Sequence, residues 1–138
     1  MIYIKQEYIK ANIQETMLQA SIEKDSGILD TLEAQTIDEV KSYIGARYDT
    51  SKIFGDPPII NGMLVRIIVS LVTYRAIRRN AARKVPDDYK EMRDWAYGVL
   101  ENIRDGIMPL PDAPQAGDPE TGEKLSLFGS NRKPEYFL

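Results

Sequence analysis

The sequence predicts an all-α protein: a small helical bundle around one buried central helix, with an extended C-terminal arm containing at most a short strand. Three observations predict it. The stretch Asn61 to Arg79 (NGMLVRIIVSLVTYRAIRR) is apolar on most sides, two further stretches repeat apolar residues at helical spacing, and beyond Gly106 prolines and glycines replace that period. At 138 residues the chain has the common size of one domain, and with 43% hydrophobic residues it can fill one core. The expected division is a helical domain over residues 1–111 and an arm over 112–138.

In chain order, Tyr3 and Ile4 form a short extended entry, followed by one or two short helices carrying Ile13, Met17, Leu18 and Ile22. Asp25-Ser26-Gly27 is a turn signal. Its acidic flavour, with Glu23 and Asp30, does not match the spacing of a calcium loop, so a plain turn and helix start is the reading. From Leu29 the apolar positions fall at Leu32, Ile37, Val40, Ile44 and Tyr48, which predicts a helix of ~five turns at 3.6 residues per turn. Thr36, Asp38, Glu39, Lys41 and Ser42 fill its other side. Gly55, Pro57 and Pro58 break the period, and Ile53 and Phe54 are expected to pin that loop to the core.

In the central helix Met63, Leu64, Val65, Ile67, Ile68, Val69, Leu71, Val72, Ala76 and Ile77 are the core candidates, and Arg66, Ser70 and Thr73 recur as a narrow polar stripe. A membrane span needs ~20 unbroken apolar residues, and Arg66 interrupts a run that is already too short. After the connector NAARKVP, Pro86 with Asp87 and Asp88 predicts a helix start with proline at the first position and acids in the first turn. Tyr89, Met92, Ala96, Val99, Leu100 and Ile103 mark one face, and Gly106 its left-handed close. Trp95 and Tyr97 lie off that stripe, where packing at the rim is the commoner use of large rings than a partner contact.

Residues 109–122 (PLPDAPQAGDPETG) hold four prolines and two glycines, which excludes helix and central strand. Leu125, Leu127 and Phe128 then suggest a short strand, and Tyr136, Phe137 and Leu138 are three apolar residues that would fray in water unless they dock. These six are the candidate assembly contacts. Docking on the chain's own core and docking on a neighbouring subunit are both open, the arm giving reach of up to ~3.1 Å per residue where extended.

The chain has no histidine and no cysteine. That removes the usual zinc sites, the serine–histidine and cysteine–histidine nucleophile pairs and any disulfide, and suits the cytoplasm or an assembly built there. The expectation is no catalytic residue, no metal and no cofactor. Adjacent carboxylates such as Asp38/Glu39 and Asp87/Asp88 diverge around their helices, and no glycine-rich phosphate loop opens a helix. The opening MIYIKQEYIK lacks a long apolar core, so no signal peptide is expected. The net charge of −3 supplies no global basic field. Arg75, Arg78, Arg79, Arg83 and Lys84 form the one basic cluster, a candidate contact patch for a protein partner or DNA. Its bland alternative is that cations at a helix end are favourable by ~0.3 to 1 kcal/mol without any ligand.

IDEVKSYIGARY (Ile37 to Tyr48), a proline-bearing loop, an apolar helix closing TYRAIRRN (Thr73 to Asn80) and VPDDYKEMRDWAYGVLENIRDGIMPLP (Val85 to Pro111) together resemble the tailed-bacteriophage head–tail connector family, the adaptor or head-completion proteins beneath the portal. The likeness covers residues 1–111, and the terminal FGSNRKPEYF resembles the family's closing segment more loosely. Its specificity lies in the order of the pieces. The resemblance implies a structural, non-enzymatic virion protein in the head–tail neck, assembled in the host cytoplasm. It would form a homo-oligomeric ring, a dodecamer, contacting the portal and a tail or other neck protein, with genomic DNA as passing cargo and no membrane. The acidic run Asp118, Glu120 and Glu123 departs from the family's pattern. The competing reading is a small helical DNA-binding packaging or regulatory module using the arginine cluster.

Overall fold

The computed structural model describes residues 2–11, 26–79 and 85–116. It is all-α, a compact packing of helices around one buried central helix. Helices α1 (Gln6–Lys10), α2 (Ser26–Ile44), α3 (Thr50–Ile53), α4 (Gly62–Arg78) and α5 (Asp87–Arg104) follow one another, and α4 packs against α5, α2 and α1, while α2 also meets α5. No strand occurs among the described residues, only an isolated antiparallel bridge between Tyr48 and Gln115.

Helix α4 begins where Asn61 turns its side chain back: Oδ1 accepts from the backbone N–H groups of Met63 and Leu64 at 3.0 and 3.2 Å, satisfying donors that the first turn leaves open. Leu64, Ile67, Ile68, Leu71, Val72, Ala76 and Ile77 are all but excluded from solvent. Burying each large aliphatic side chain is worth roughly 1.5–3 kcal/mol, so this helix carries much of the driving force for folding. The expected polar stripe is narrower than its sequence suggests. Arg66 alone is exposed; Ser70 and Thr73 are 4% and 0% exposed, because helices crowd α4 from several sides and a short hydroxyl fits where a charge does not. Ser70 meets its burial by donating to the Arg66 carbonyl at 2.8 Å.

Helix α2 departs from its sequence reading at both ends. Ser26 and Gly27 already lie in its first turn, and it closes at Ile44 rather than running to Tyr48. Gly45 makes the close possible: a Cβ there would sit 2.7 Å from the Lys41 carbonyl oxygen, so a residue without one is required. The buried line along α2 is Leu29, Glu33, Thr36, Ile37, Val40 and Ile44, whereas Leu32 is only half-buried. The loop after it contains α3, which the proline-and-glycine content of residues 49–58 had hidden. Asp49 caps it, its carboxylate accepting from the Lys52 N–H at 3.3 Å, and Ile53 and Phe54 are buried beneath as expected. The Asp56–Pro57 peptide is cis.

Helix α5 has Pro86 one position earlier than expected, at the cap, where its carbonyl accepts from Tyr89 and Lys90. Asp87 and Asp88 occupy the first turn, complementing the positive end of the helix. Ala96, Val99, Leu100 and Ile103 are buried, and Gly106, at φ 80°, takes the left-handed close that only glycine adopts freely. The chain then returns as a strap across the bundle. Leu110 is buried, its N–H donating to the Tyr48 hydroxyl at 2.8 Å, and the Asn61 amide donates to the Pro111 carbonyl at 2.7 Å. Anchoring continues past the boundary expected at 111. The Asp49 N–H donates to the Pro114 carbonyl, and the Ala116 N–H to the Arg47 carbonyl.

Candidate functional site

Of the predicted basic cluster, Arg75, Arg78 and Arg79 are among the described residues and line one surface pocket with Leu32 and Gln35. Arg75 turns inward: its Nη1 donates to Thr36 Oγ1 at 2.6 Å and its Nη2 to Glu39 Oε1 at 2.6 Å. It therefore belongs to a polar junction between α2, α4 and α5 and is not available to a partner as a free cation. Arg78 and Arg79 stay exposed at the end of α4. Arg83 and Lys84 lie outside the described residues, as do Leu125, Leu127, Phe128, Tyr136, Phe137 and Leu138 and the expected helical segment with Ile13, Met17, Leu18 and Ile22.

Tyr97 completes the junction by donating from its hydroxyl to Glu39 Oε1 at 3.0 Å. Burial raises the Tyr97 hydroxyl above its ordinary value of 10.0, and the Glu39 carboxylate that accepts its proton raises it further, with Arg75 pulling the other way. Tyr43 stands beside it with ring centroids 6.3 Å apart, and Arg104 lies over the Tyr43 ring at 5.6 Å. The expectation that Tyr97 packs at the rim is met, with a hydrogen bond that the helical period alone does not reveal.

A second polar feature was not legible as functional or structural from its residue type. Glu33, 2% exposed, lies on the buried line of α2, where its carboxylate accepts from the N–H groups of Ile2, Tyr3 and Ile4 at 2.7, 3.0 and 2.8 Å. A buried carboxylate is costly unless hydrogen-bonded, and here three amides of the extended entry surround it. Tyr3 continues the linkage, donating to the Ile59 carbonyl and accepting from the Asn61 N–H, both at 2.9 Å, with its ring 4.9 Å from that of Phe54. Burial raises the Tyr3 hydroxyl above 10.0 against the lowering effect of the Asn61 hydrogen bond. The signal in the sequence was positional: Leu29, Glu33, Ile37, Val40 and Ile44 follow helical spacing more regularly than a line drawn through Leu32.

The third feature is concave. Between α1, α4 and α5 a groove of about 500 Å³ is lined by Val65, Val69, Met92 and Trp95, with exposed Arg66, Asp88 and Glu91 at its margin. The Arg66 guanidinium lies 4.2 Å from the Trp95 ring centre, which accounts for the position of both side chains at the helix rim. On the opposite flank of α5, Arg93 is similarly placed over Tyr74 at 4.7 Å and donates to its hydroxyl at 2.8 Å.

Among the described residues, no group of three or more His, Cys, Asp or Glu is placed to hold a metal ion, and no helix is long and apolar enough to cross a membrane. No family model matches the chain, and neither does any curated protein. The described residues present an apolar groove, an exposed arginine pair and a strap fixed to the bundle as far as Ala116.

Proposed function

We propose that this protein is a structural subunit of a tailed-phage neck, a head–tail connector or adaptor that forms a ring beneath the portal and continues the DNA channel toward the tail. The single observation that carries the reading is the anchored root of the arm. Backbone hydrogen bonds from Asp49 to Pro114 and from Ala116 to Arg47 fix where the C-terminal segment leaves the bundle. The residues that follow carry two apolar clusters separated by polar, proline-containing chain. A body with a fixed departure point and a long reach is suited to gripping a neighbour. The order of sequence pieces that resembles connectors, the stretch Ile37 to Tyr48, a proline loop, a Tyr-and-Arg-ended α4 and a Trp-bearing α5, supports the same reading.

In this reading the protein is not an enzyme. It works in the virion, after assembly in the host cytoplasm, through contacts with further copies of itself, the portal and a tail or other neck protein, while DNA passes. Contact through an arm lets such a ring build stepwise on a template. A test is deletion of residues 117–138, which spares every described anchor of the strap. The shortened chain should keep its helical circular dichroism and fail to join portal-bearing particles. Normal joining by the shortened chain overturns the reading.

The exposed Arg78 and Arg79 favour one competitor, a helical DNA-binding module. The inward pairing of Arg75 removes a cation from that surface. A salt-dependent gel shift with duplex DNA supports the competitor, and absence of a shift at low salt eliminates it.

A further inference from the structure

The groove beside α4 has a chemical character that narrows what it can receive. Val65, Val69, Met92 and Trp95 give it an apolar lining, and Asp88 and Glu91 outweigh Arg66 in charge at its margin. Its size is that of pockets which take a small ligand or a few peptide side chains. A fitting peptide carries large apolar residues next to cations. The sequence contains such a segment in Arg132-Lys133-Pro134-Glu135-Tyr136-Phe137-Leu138. The arm's other apolar cluster, Leu125, Leu127 and Phe128, is preceded by Glu123 and Lys124, whose charges cancel, and so matches an acidic margin less well.

We infer that the groove of one copy receives Tyr136, Phe137 and Leu138 of a second copy, with Arg132 and Lys133 against Asp88 and Glu91 and with Glu135 against Arg66. This rests on the connector reading and deepens it by naming the surface that takes the arm. Reach permits it: residues 117–138 span up to ~65 Å where extended, more than twice the ~27 Å length of α5. The contact is heterologous, since each copy offers one groove and one arm. Contacts of that type propagate from copy to copy and close into a ring where the rotation allows.

The full-length chain has no cysteine, so introduced thiols report the contact directly. Gly62→Cys places a thiol at the groove, and a Cβ there meets nothing within 4 Å, so the fold accommodates it. Mixing the full-length Gly62→Cys chain with a differently tagged Phe137→Cys chain under mild oxidation should give a covalent heterodimer. Ser42→Cys, exposed on α2, should not pair with Phe137→Cys. Adding Asp88→Lys and Glu91→Lys to the groove chain should lower the heterodimer yield ~tenfold, the loss expected when two rim ion pairs become repulsive.

Three results overturn the inference. One is no heterodimer above the Ser42→Cys control. A second is a Gly62→Cys/Phe137→Cys double variant that closes only within its own chain. The third is a Gly62→Cys/Leu18→Cys variant that closes internally in high yield, because the chain's own earlier residues then occupy the groove. If crosslinking fails while deletion of residues 117–138 still abolishes joining to the portal, the groove assignment falls and the connector reading stands. Crosslinking combined with normal joining by the deleted chain has the reverse meaning.

Discussion

Arg75 Nη2 lies 2.6 Å from Glu39 Oε1, an ion pair that ties the last turns of α4 to the middle of α2 with both side chains largely shielded, at 23% and 32% exposure. Because the guanidinium also donates to Thr36, and Tyr97 donates to the same carboxylate oxygen, four side chains share one junction. Arg75→Leu strands a partly buried Glu39 carboxylate and should cost roughly 1–3 kcal/mol, the penalty for a charged group deprived of its partner. Arg78→Leu, one turn on and exposed, should stay within ~0.5 kcal/mol. Urea denaturation of the two variants gives the comparison; equal midpoints would mean the junction contributes nothing to stability.

The two shifted tyrosines predict loss of stability in alkali. Tyr97 and Tyr3 both have hydroxyls raised above 10.0 in the folded chain, by burial first. Above pH 10 the unfolded chain releases these protons while the folded chain still holds them. Unfolding is then favoured as pH rises, and the contribution is fully present below pH 10 and lost as pH climbs through the folded values. Thermal melts from pH 9 to 11.5 should show a falling midpoint. Tyr97→Phe, which has no proton to lose, should show a shallower fall, and an unchanged slope argues against the assignment.

How far the sequence revealed this arrangement follows from what each element depends on. Helices α4 and α5 were legible because their signals are local: Asn61 and the acids Asp87 and Asp88 at the starts, Gly106 at a close, and apolar period between. The register of α2 was misread because Leu32 attracts a core assignment by residue type, while Glu33, which geometry puts inside, repels one. Only the extended entry, bringing three N–H donors to one carboxylate, makes a buried glutamate tolerable, and that pairing joins residues some thirty positions apart. Arg75 read as one of five clustered cations because Glu39 and Thr36 were assigned to the solvent side of α2. The strap from Leu110 to Ala116 was hidden for a different reason. Its anchors are largely backbone groups and the Tyr48 hydroxyl, so proline-rich composition spoke of arm and said nothing of attachment.

Glu33 makes a prediction that separates structure at the N-terminus from stability of the whole. Glu33→Gln keeps the size but turns one acceptor oxygen into an NH2 group facing backbone donors, so at least one of the three hydrogen bonds is lost. The amides of Tyr3 and Ile4 should exchange with solvent faster by ~tenfold or more, as the loss of roughly 1.4 kcal/mol of local protection implies. Amides in the centre of α4, such as Ile68 and Leu71, should slow or quicken only with global stability. Hydrogen exchange resolved by residue measures both, and unchanged protection at Tyr3 and Ile4 would show that the carboxylate does not hold the entry.

Two threonines at 0% exposure, Thr36 and Thr73, should respond oppositely to one substitution. Thr36 Oγ1 donates to the Leu32 carbonyl at 2.7 Å and accepts from Arg75, so Thr36→Val removes a used hydroxyl and leaves a guanidinium donor short of an acceptor. Thr73 Oγ1 has no hydrogen-bond partner among the described residues, although it is buried in the same core. Desolvating an unpaired hydroxyl costs about 1–3 kcal/mol, so replacing it by a methyl should recover part of that penalty. The expected changes are a loss of about 1–2 kcal/mol for Thr36→Val and a gain of about 1 kcal/mol for Thr73→Val, a rise of a few degrees in melting temperature. Both substitutions alter volume little and keep the branched shape, so packing contributes similarly to each. The difference between them isolates the hydrogen bonds, and two variants that move in the same direction would refute this account of the core.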